Sequence, residues 1–324
     1  MRSSPGSVPR SPMGATGSSS TSSRISTRSS TSDGRGRRLP AGRAAVLAGF
    51  LRLVHPFPSL LDGAVVLVVA LIAGAGAETA VLLGASMTAL QFSIGAMNDI
   101  VDAPRDGAAK RGKPIPAGVV SRTGAAAVVV GAAGAGLVVG WLAGPFGGSV
   151  VALGLLVLAI GFAYDTAFKG TAWSWIPFAV GIPVLPVYAW VGATGGIPAS
   201  FAILIPVAVI AGAGLAVANA RADEDRDRAS TTSSVATRLG GAWSWRVDAG
   251  CMAVVSVAAV ATLLSDDAGP LALAGVVVGA VTVALGLVVG RTAEADRRER
   301  SWEFQAVGVA VLAASWLAGV PLAG

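Results

Sequence analysis

Nine times after residue 56 the chain runs for about 20 residues with almost no charge, the length a helix needs to cross a hydrocarbon layer roughly 30 Å thick. These runs fall at roughly 57–76, 79–101, 123–143, 146–166, 173–193, 198–220, 245–265, 269–290 and 302–322. A soluble fold has no interior large enough for so many. The composition agrees, with 53% hydrophobic and 13% charged residues and a mean hydropathy of +0.69. The expected fold is all-α: nine transmembrane helices in one bundle over residues 44–324, preceded by a disordered tail over residues 1–43. Segment 44–54 is too short to cross and runs into His55-Pro56-Phe57-Pro58, so it reads as an interfacial helix leading into the first span.

The net charge of +6 is not a nucleic-acid signal, because it belongs to the tail. Residues 1–43 carry eight Arg against Asp33 alone, and their Ser, Thr, Gly and Pro cannot offset the entropy of ordering. Beyond the tail and Arg52, every Lys and Arg falls in alternate loops: after spans two, four, six and eight. The positive-inside rule then predicts a cytoplasmic N-terminus and an external C-terminus. The expected location is a plasma membrane of bacterial type, crossed several times, with membrane lipid as a partner. One Cys and one His exclude a disulfide framework and a His/Cys zinc cluster. Cys251 reads as core and His55 as an interfacial residue, with nothing near it in sequence to pair with.

Carboxylates beside membrane spans are costly, so clusters there are functional candidates. Two occur, both at predicted cytoplasmic ends: Asn98-Asp99-Ile100-Val101-Asp102-Ala103-Pro104-Arg105-Asp106 after span two, and Asn219-Ala220-Arg221-Ala222-Asp223-Glu224-Asp225-Arg226-Asp227 after span six. On a helix, four residues advance about 400°, so Asn98, Asp102 and Asp106 share one face, as do Asn219, Asp223 and Asp227. Pro104 is expected to end the first helix early and leave Asp106 in the following loop. Two such faces opposed across a bundle need cations to coexist, and an all-oxygen donor set suits Mg²⁺ bridging carboxylates to substrate phosphates. Arg105, Lys110, Arg111, Lys113, Arg221, Arg226 and Arg228 beside them suit the phosphate itself. Glu224 and Asp225 fall off the shared face and read as solvated. Gln91, two turns along the Asn98 face, reads as a packing residue, and Asp62 lies early in span one.

With these motifs in hand, the sequence resembles the intramembrane prenyltransferases of the UbiA superfamily. That family's NDxxDxxxD motif is matched by Asn98, Asp99, Asp102 and Asp106, and its DxxxD motif by Asp223 and Asp227. Lys110-Arg111-Gly112-Lys113-Pro114 is similar to its basic loop, and Thr237-Arg238-Leu239-Gly240 follows in a family-like position. Ser230-Thr231 stands where many members have Gly. The resemblance implies a Mg²⁺-dependent transferase that moves an isoprenyl group from a polyprenyl diphosphate to an aromatic or another small lipophilic acceptor and releases diphosphate. It further implies two Mg²⁺ ions, with Asn98, Asp99, Asp102, Asp106, Asn219, Asp223 and Asp227 as metal ligands and Asp102, Asp106, Asp223 and Asp227 as the catalytic set. Diphosphate contacts are implied for Arg105, Lys110, Arg111 and Lys113, and for Tyr164 and Lys169 in the Tyr164-Asp165-Thr166-Ala167-Phe168-Lys169 segment. A plain i,i+4 pair between Asp165 and Lys169 is the alternative there. Some relatives cyclise the prenyl chain instead. From another class, an ion-coupled transporter also uses membrane carboxylates, although such sites lie near the midplane rather than at helix ends among basic loops.

Overall fold

The computed structural model describes residues 42–106, 113–229 and 232–320, without the side chains of Arg43, Ala45, Arg105 and Asp106. The expected tail, except its last two residues, thus lies outside the described residues, as do Lys110 and Arg111. Helices account for the described chain, with no strand among them. They are α1 (Arg43–Leu53), α2 (Pro56–Ile72), α3 (Ala77–Asp106), α4 (Arg122–Leu142), α5 (Gly147–Ala163), α6 (Ile176–Thr194), α7 (Phe201–Ala222), α8 (Glu224–Ala229), α9 (Val235–Leu239), α10 (Gly241–Ser265), α11 (Pro270–Val289) and α12 (Ala295–Gly319). A π-helical turn, Tyr164–Phe168, prolongs α5.

Among the described residues, eight helices are long and apolar enough to span a membrane, and the bent pair α1–α2, taken as one span, brings the number to nine. The first crossing differs from expectation. At 17 residues α2 is about 26 Å long, short of a hydrocarbon core, and it joins α1 across a 53° bend. His55 sits at that bend with φ +47°, since Pro56 disfavours a right-handed helical conformation in the residue before it. Pro104 does not stop α3, which continues to Asp106. Proline cannot donate to the Ile100 carbonyl four residues back, and the Arg122 guanidinium supplies a long 3.4 Å hydrogen bond there instead. The second motif is likewise less regular than its spacing suggests. The α7 helix ends at Ala222, Asp223 caps it, and α8 begins at Glu224. A bond from the Asp227 amide to the Asp223 carbonyl, 2.9 Å, keeps the two aspartates one turn apart.

Sequential spans pack as neighbours, and the bundle closes where α2 meets α6 and α12 and where α7 meets α12. Leu83, Met87, Leu90, Tyr188, Phe201 and Leu312 are fully or almost fully buried in the core, while Leu271, Val257 and Val288 project outward on faces suited to lipid. Because lipid is as apolar as Leu, the helices are held by close packing at small residues. Gly279 of α11 and Gly308 of α12 abut so closely that a Cβ on either would lie 2.9 Å from the other's carbonyl oxygen. Gly308→Ala is therefore expected to cost about 1–3 kcal/mol, because backbone must move. A thermal melt of the detergent-solubilised protein would read this as a lower midpoint, and an unchanged midpoint would contradict it.

Candidate active site

The ends of α3, α5 and α7 meet at one end of the bundle. Asn98 Nδ2 donates to Asp165 Oδ1 at 2.7 Å, and Lys169 Nζ donates to Asp102 Oδ2 at 2.6 Å. Asp102 and Asp165 are both buried. The π turn explains this pairing. Its Lys169 amide bonds back to the Tyr164 carbonyl, five residues away, so Lys169 is rotated off the Asp165 line that an α-helix would have given it. The Asp165–Lys169 ion pair left open by the sequence is thus replaced by two contacts to α3.

Tyr164, first in that turn, joins the two motifs. Its ring stacks edge-on against Phe178, with centroids 5.3 Å apart, and its hydroxyl lies close to Asn219. The same hydroxyl interacts electrostatically with Asp165, Asp102 and Asp227. Members of both aspartate motifs therefore lie within electrostatic reach of one phenol.

Asp99 projects differently. Its Oδ1 accepts from His55 Nε2 at 3.0 Å and from Lys113 Nζ, and the carboxylate is buried. His55 is thus not a bystander at the interface. Its partner lies 44 residues away, beyond any local signal. Asp99 Oδ2 and Asp165 Oδ2 are buried without a hydrogen-bond partner, which leaves oxygen acceptors open to a cation. No group of three His, Cys, Asp or Glu side chains among the described residues stands in a metal-binding arrangement, and the Asp106 side chain lies outside them. The donor set at the helix ends is nonetheless all oxygen, the chemistry a hard divalent ion takes.

Around the second motif, several expected phosphate-binding cations have other work. Arg221 is buried, donates to the Gly290 carbonyl at 2.9 Å and lies 4.0 Å from Asp248. Arg226 pairs with Asp223, and Arg228 with Glu224 at 2.6 Å. Glu224 is not solvated as expected but buried, and exposed Asp225 is held at 2.6 Å by the buried Arg298 of α12. These contacts brace the second motif against α10 and α12. The side chain of Arg105, like Lys110 and Arg111, lies outside the described residues.

Outward from this polar end, an apolar cavity of about 110 Å³ lies between α2, α6, α7, α10 and α12. Leu215 lines it one turn before Asn219, so the cavity begins beside the motif layer. Asp62 also lines it, and accepts a 2.6 Å hydrogen bond from Gln91. Gln91 thus has a polar partner across the α2–α3 contact.

Carboxylates, asparagines and two lysines thus gather at one end of a helical bundle whose interior holds an apolar cavity. The model of the UbiA prenyltransferase family matches residues 61–314. The chain belongs to that family and is a prenyl-group transferase by class. Solved structures agree on the fold. A UbiA homolog from Aeropyrum pernix K1 superposes with a TM-score of 0.65 at 19% identity, covering 82% of this chain and 97% of that one. A digeranylgeranylglyceryl phosphate synthase gives 0.61 at 12% identity, over 85% of this chain and 98% of that one. A UbiA homolog from Archaeoglobus fulgidus, bound to DMAPP and Mg²⁺, gives 0.58 at 18% identity, over 81% and 98%. No curated protein matches the chain closely enough to be significant.

Proposed function

We propose that this protein is a Mg²⁺-dependent intramembrane prenyltransferase that takes an isoprenyl group from a polyprenyl diphosphate, passes it to a small lipophilic acceptor and releases diphosphate. The observation that carries this reading is the convergence of Asn219, Asp102 and Asp227 on Tyr164, with Lys169 and Lys113 beside them. Such a chamber suits a highly charged head group, and the apolar cavity one turn away suits its hydrocarbon tail. The similar Archaeoglobus fulgidus structures hold DMAPP or GPP with Mg²⁺, which supports the same ligand class here.

Asn98, Asp99, Asp102 and Asp106 on α3, with Asn219, Asp223 and Asp227 at the end of α7, are the side chains that would hold two Mg²⁺ ions. When bound, these ions would neutralise diphosphate and stabilise it as a leaving group. Lys113 and Lys169 would bind the outer phosphate oxygens, exchanging their carboxylate contacts for charge-assisted contacts to substrate, together with Arg105, Lys110 and Arg111. Tyr164 would donate a hydrogen bond to the same group. The bundle walls exclude water from the allylic cation left when the C–O bond breaks. On this reading the chamber faces the cytoplasm, residues 44–324 form the catalytic body and residues 1–43 a solvated tail.

The test is release of diphosphate from geranyl diphosphate by the purified full-length protein in lipid nanodiscs. Release should require Mg²⁺ or Mn²⁺ and stop in excess chelator. A protein lacking residues 1–40 should keep its rate within about twofold, since the tail has no apolar face to add to the pocket. Chelator-insensitive release would sink the metal-dependent reading. Solute counterflow without any release would favour an ion-coupled carrier, and a cyclic hydrocarbon product a cyclase.

A further inference from the structure

One ionisable side chain lines the apolar cavity among the described residues, and the head-group chemistry above does not use it. Asp62 sits on α2 within the membrane-spanning part of the bundle, where a carboxylate is costly and is retained for a purpose. No Lys or Arg among the described residues pairs with it. Its one described hydrogen-bond partner is the neutral Gln91 amide, 2.6 Å from Oδ2. The other polar groups on the cavity wall are already engaged: Thr262 Oγ1 donates to the Ala258 carbonyl at 2.7 Å and accepts from Trp316 Nε1 at 2.6 Å. Asp62 is thus the polar group that the cavity offers to a ligand.

Its position in depth follows from helix register. Gln91 lies seven residues before Asn98 on the same face of α3, a rise of about 10 Å. Leu215, on the wall of the same cavity, lies about 6 Å above Asn219. The Asp62–Gln91 pair therefore lies about two helical turns from the Asn98 layer, with Asp62 on the cavity wall at the end nearer the motifs.

A carboxylate that is not neutralised accepts hydrogen bonds and repels anions. An intact prenyl diphosphate is an anion whose chain has no hydrogen-bond donor, so before its C–O bond breaks it offers Asp62 nothing. Resting on the transferase reading, we propose that Asp62, oriented by Gln91, binds the acceptor through the X–H group that becomes prenylated and takes its proton. The acceptor class is then a protic nucleophile, an alcohol, phenol or amine on a lipophilic body, with no anionic group beside the reacting atom. In the step, the C–O bond to diphosphate breaks and its electron pair leaves with diphosphate. The acceptor atom forms its bond to the freed prenyl carbon, and its proton passes to Asp62.

The experiment uses membranes of the expression host, which supply acceptors, with the full-length protein, Mg²⁺ and radiolabelled geranyl diphosphate. It measures prenylated adduct and free geraniol per diphosphate released. The wild type should give adduct. In Asp62→Asn, adduct per diphosphate should fall at least about 100-fold, the usual scale for loss of a positioned base, while geraniol from water capture takes its place. Asp62→Glu should restore part of the ratio. Gln91→Leu should shift the ratio in the same direction, which keeps the test decisive if the Asn variant does not insert. A fold defect lowers both products together and leaves the ratio unmoved. An unchanged ratio in Asp62→Asn or in Gln91→Leu, at a rate of diphosphate release close to the wild type's, would overturn the proposal. A wild type that makes geraniol only would instead overturn the transferase reading, and the proposal with it.

Discussion

Replacing Asp102 with Asn, and separately Asp227 with Asn, is expected to lower Mg²⁺-dependent diphosphate release by at least about 10²–10³-fold, the scale on which loss of one group stabilising a developing anion is felt. The two residues lie 125 positions apart in sequence yet both come within electrostatic reach of the Tyr164 hydroxyl. Each substitution is isosteric and lies at a helix end, so the bundle should insert normally. Asp102→Asn also leaves Lys169 without its 2.6 Å carboxylate partner, and an amine freed this way still binds phosphate. The defect should therefore show in the response to Mg²⁺ more than in the affinity for the prenyl diphosphate. Diphosphate release measured over a Mg²⁺ titration checks this, and near-normal rates in both variants at ordinary Mg²⁺ would remove the carboxylates from the chemistry.

The second large effect is expected at Lys113. Losing one charge-assisted contact to phosphate costs on the order of 1.5–3 kcal/mol, so Lys113→Gln should raise the KM for geranyl diphosphate roughly 10- to 100-fold, with a smaller change in kcat. Lys113→Arg should recover most of it. The control is topological: tags on the loops around residues 113–121 and 143–147 would report orientation, which Arg122 and the other basic loops still secure. Lys113 also neutralises the buried Asp99, leaving His55 alone there in the Gln variant. Steady-state kinetics separate the two roles, because a weakened Asp99 environment lowers stability while a lost phosphate contact raises KM. An unchanged KM in a correctly oriented protein would reduce Lys113 to a topology signal.

Much of this architecture was legible without coordinates. Apolar runs of about 20 residues located the membrane helices to within about five residues, apart from α12, which starts seven residues earlier at Ala295, because burial of backbone polar groups in lipid leaves little choice but helix. The spacing of Asn98, Asp99, Asp102 and Asp106 and of Asp223 and Asp227 marked the helix ends that meet in the chamber. Local exceptions escaped it. The carbonyl that Pro104 leaves unpaired is met by Arg122, 22 residues from Ile100, and the π turn after Ala163 has no periodicity of its own.

The sequence by itself determined that the chain is a multi-pass helical membrane protein and which carboxylates collect at helix ends, since hydropathy and i,i+4 spacing are properties of one segment at a time. Only the tertiary structure decided the partners. Lys169 reaches Asp102 across 67 residues rather than Asp165 next door, His55 reaches Asp99, Arg298 reaches Asp225, and Gln91 holds Asp62 on the cavity wall. Each of these pairings depends on how two helices are rotated about their axes when they pack. That rotation is set by close contacts such as Gly279 against Gly308, which the pattern within a single segment does not encode.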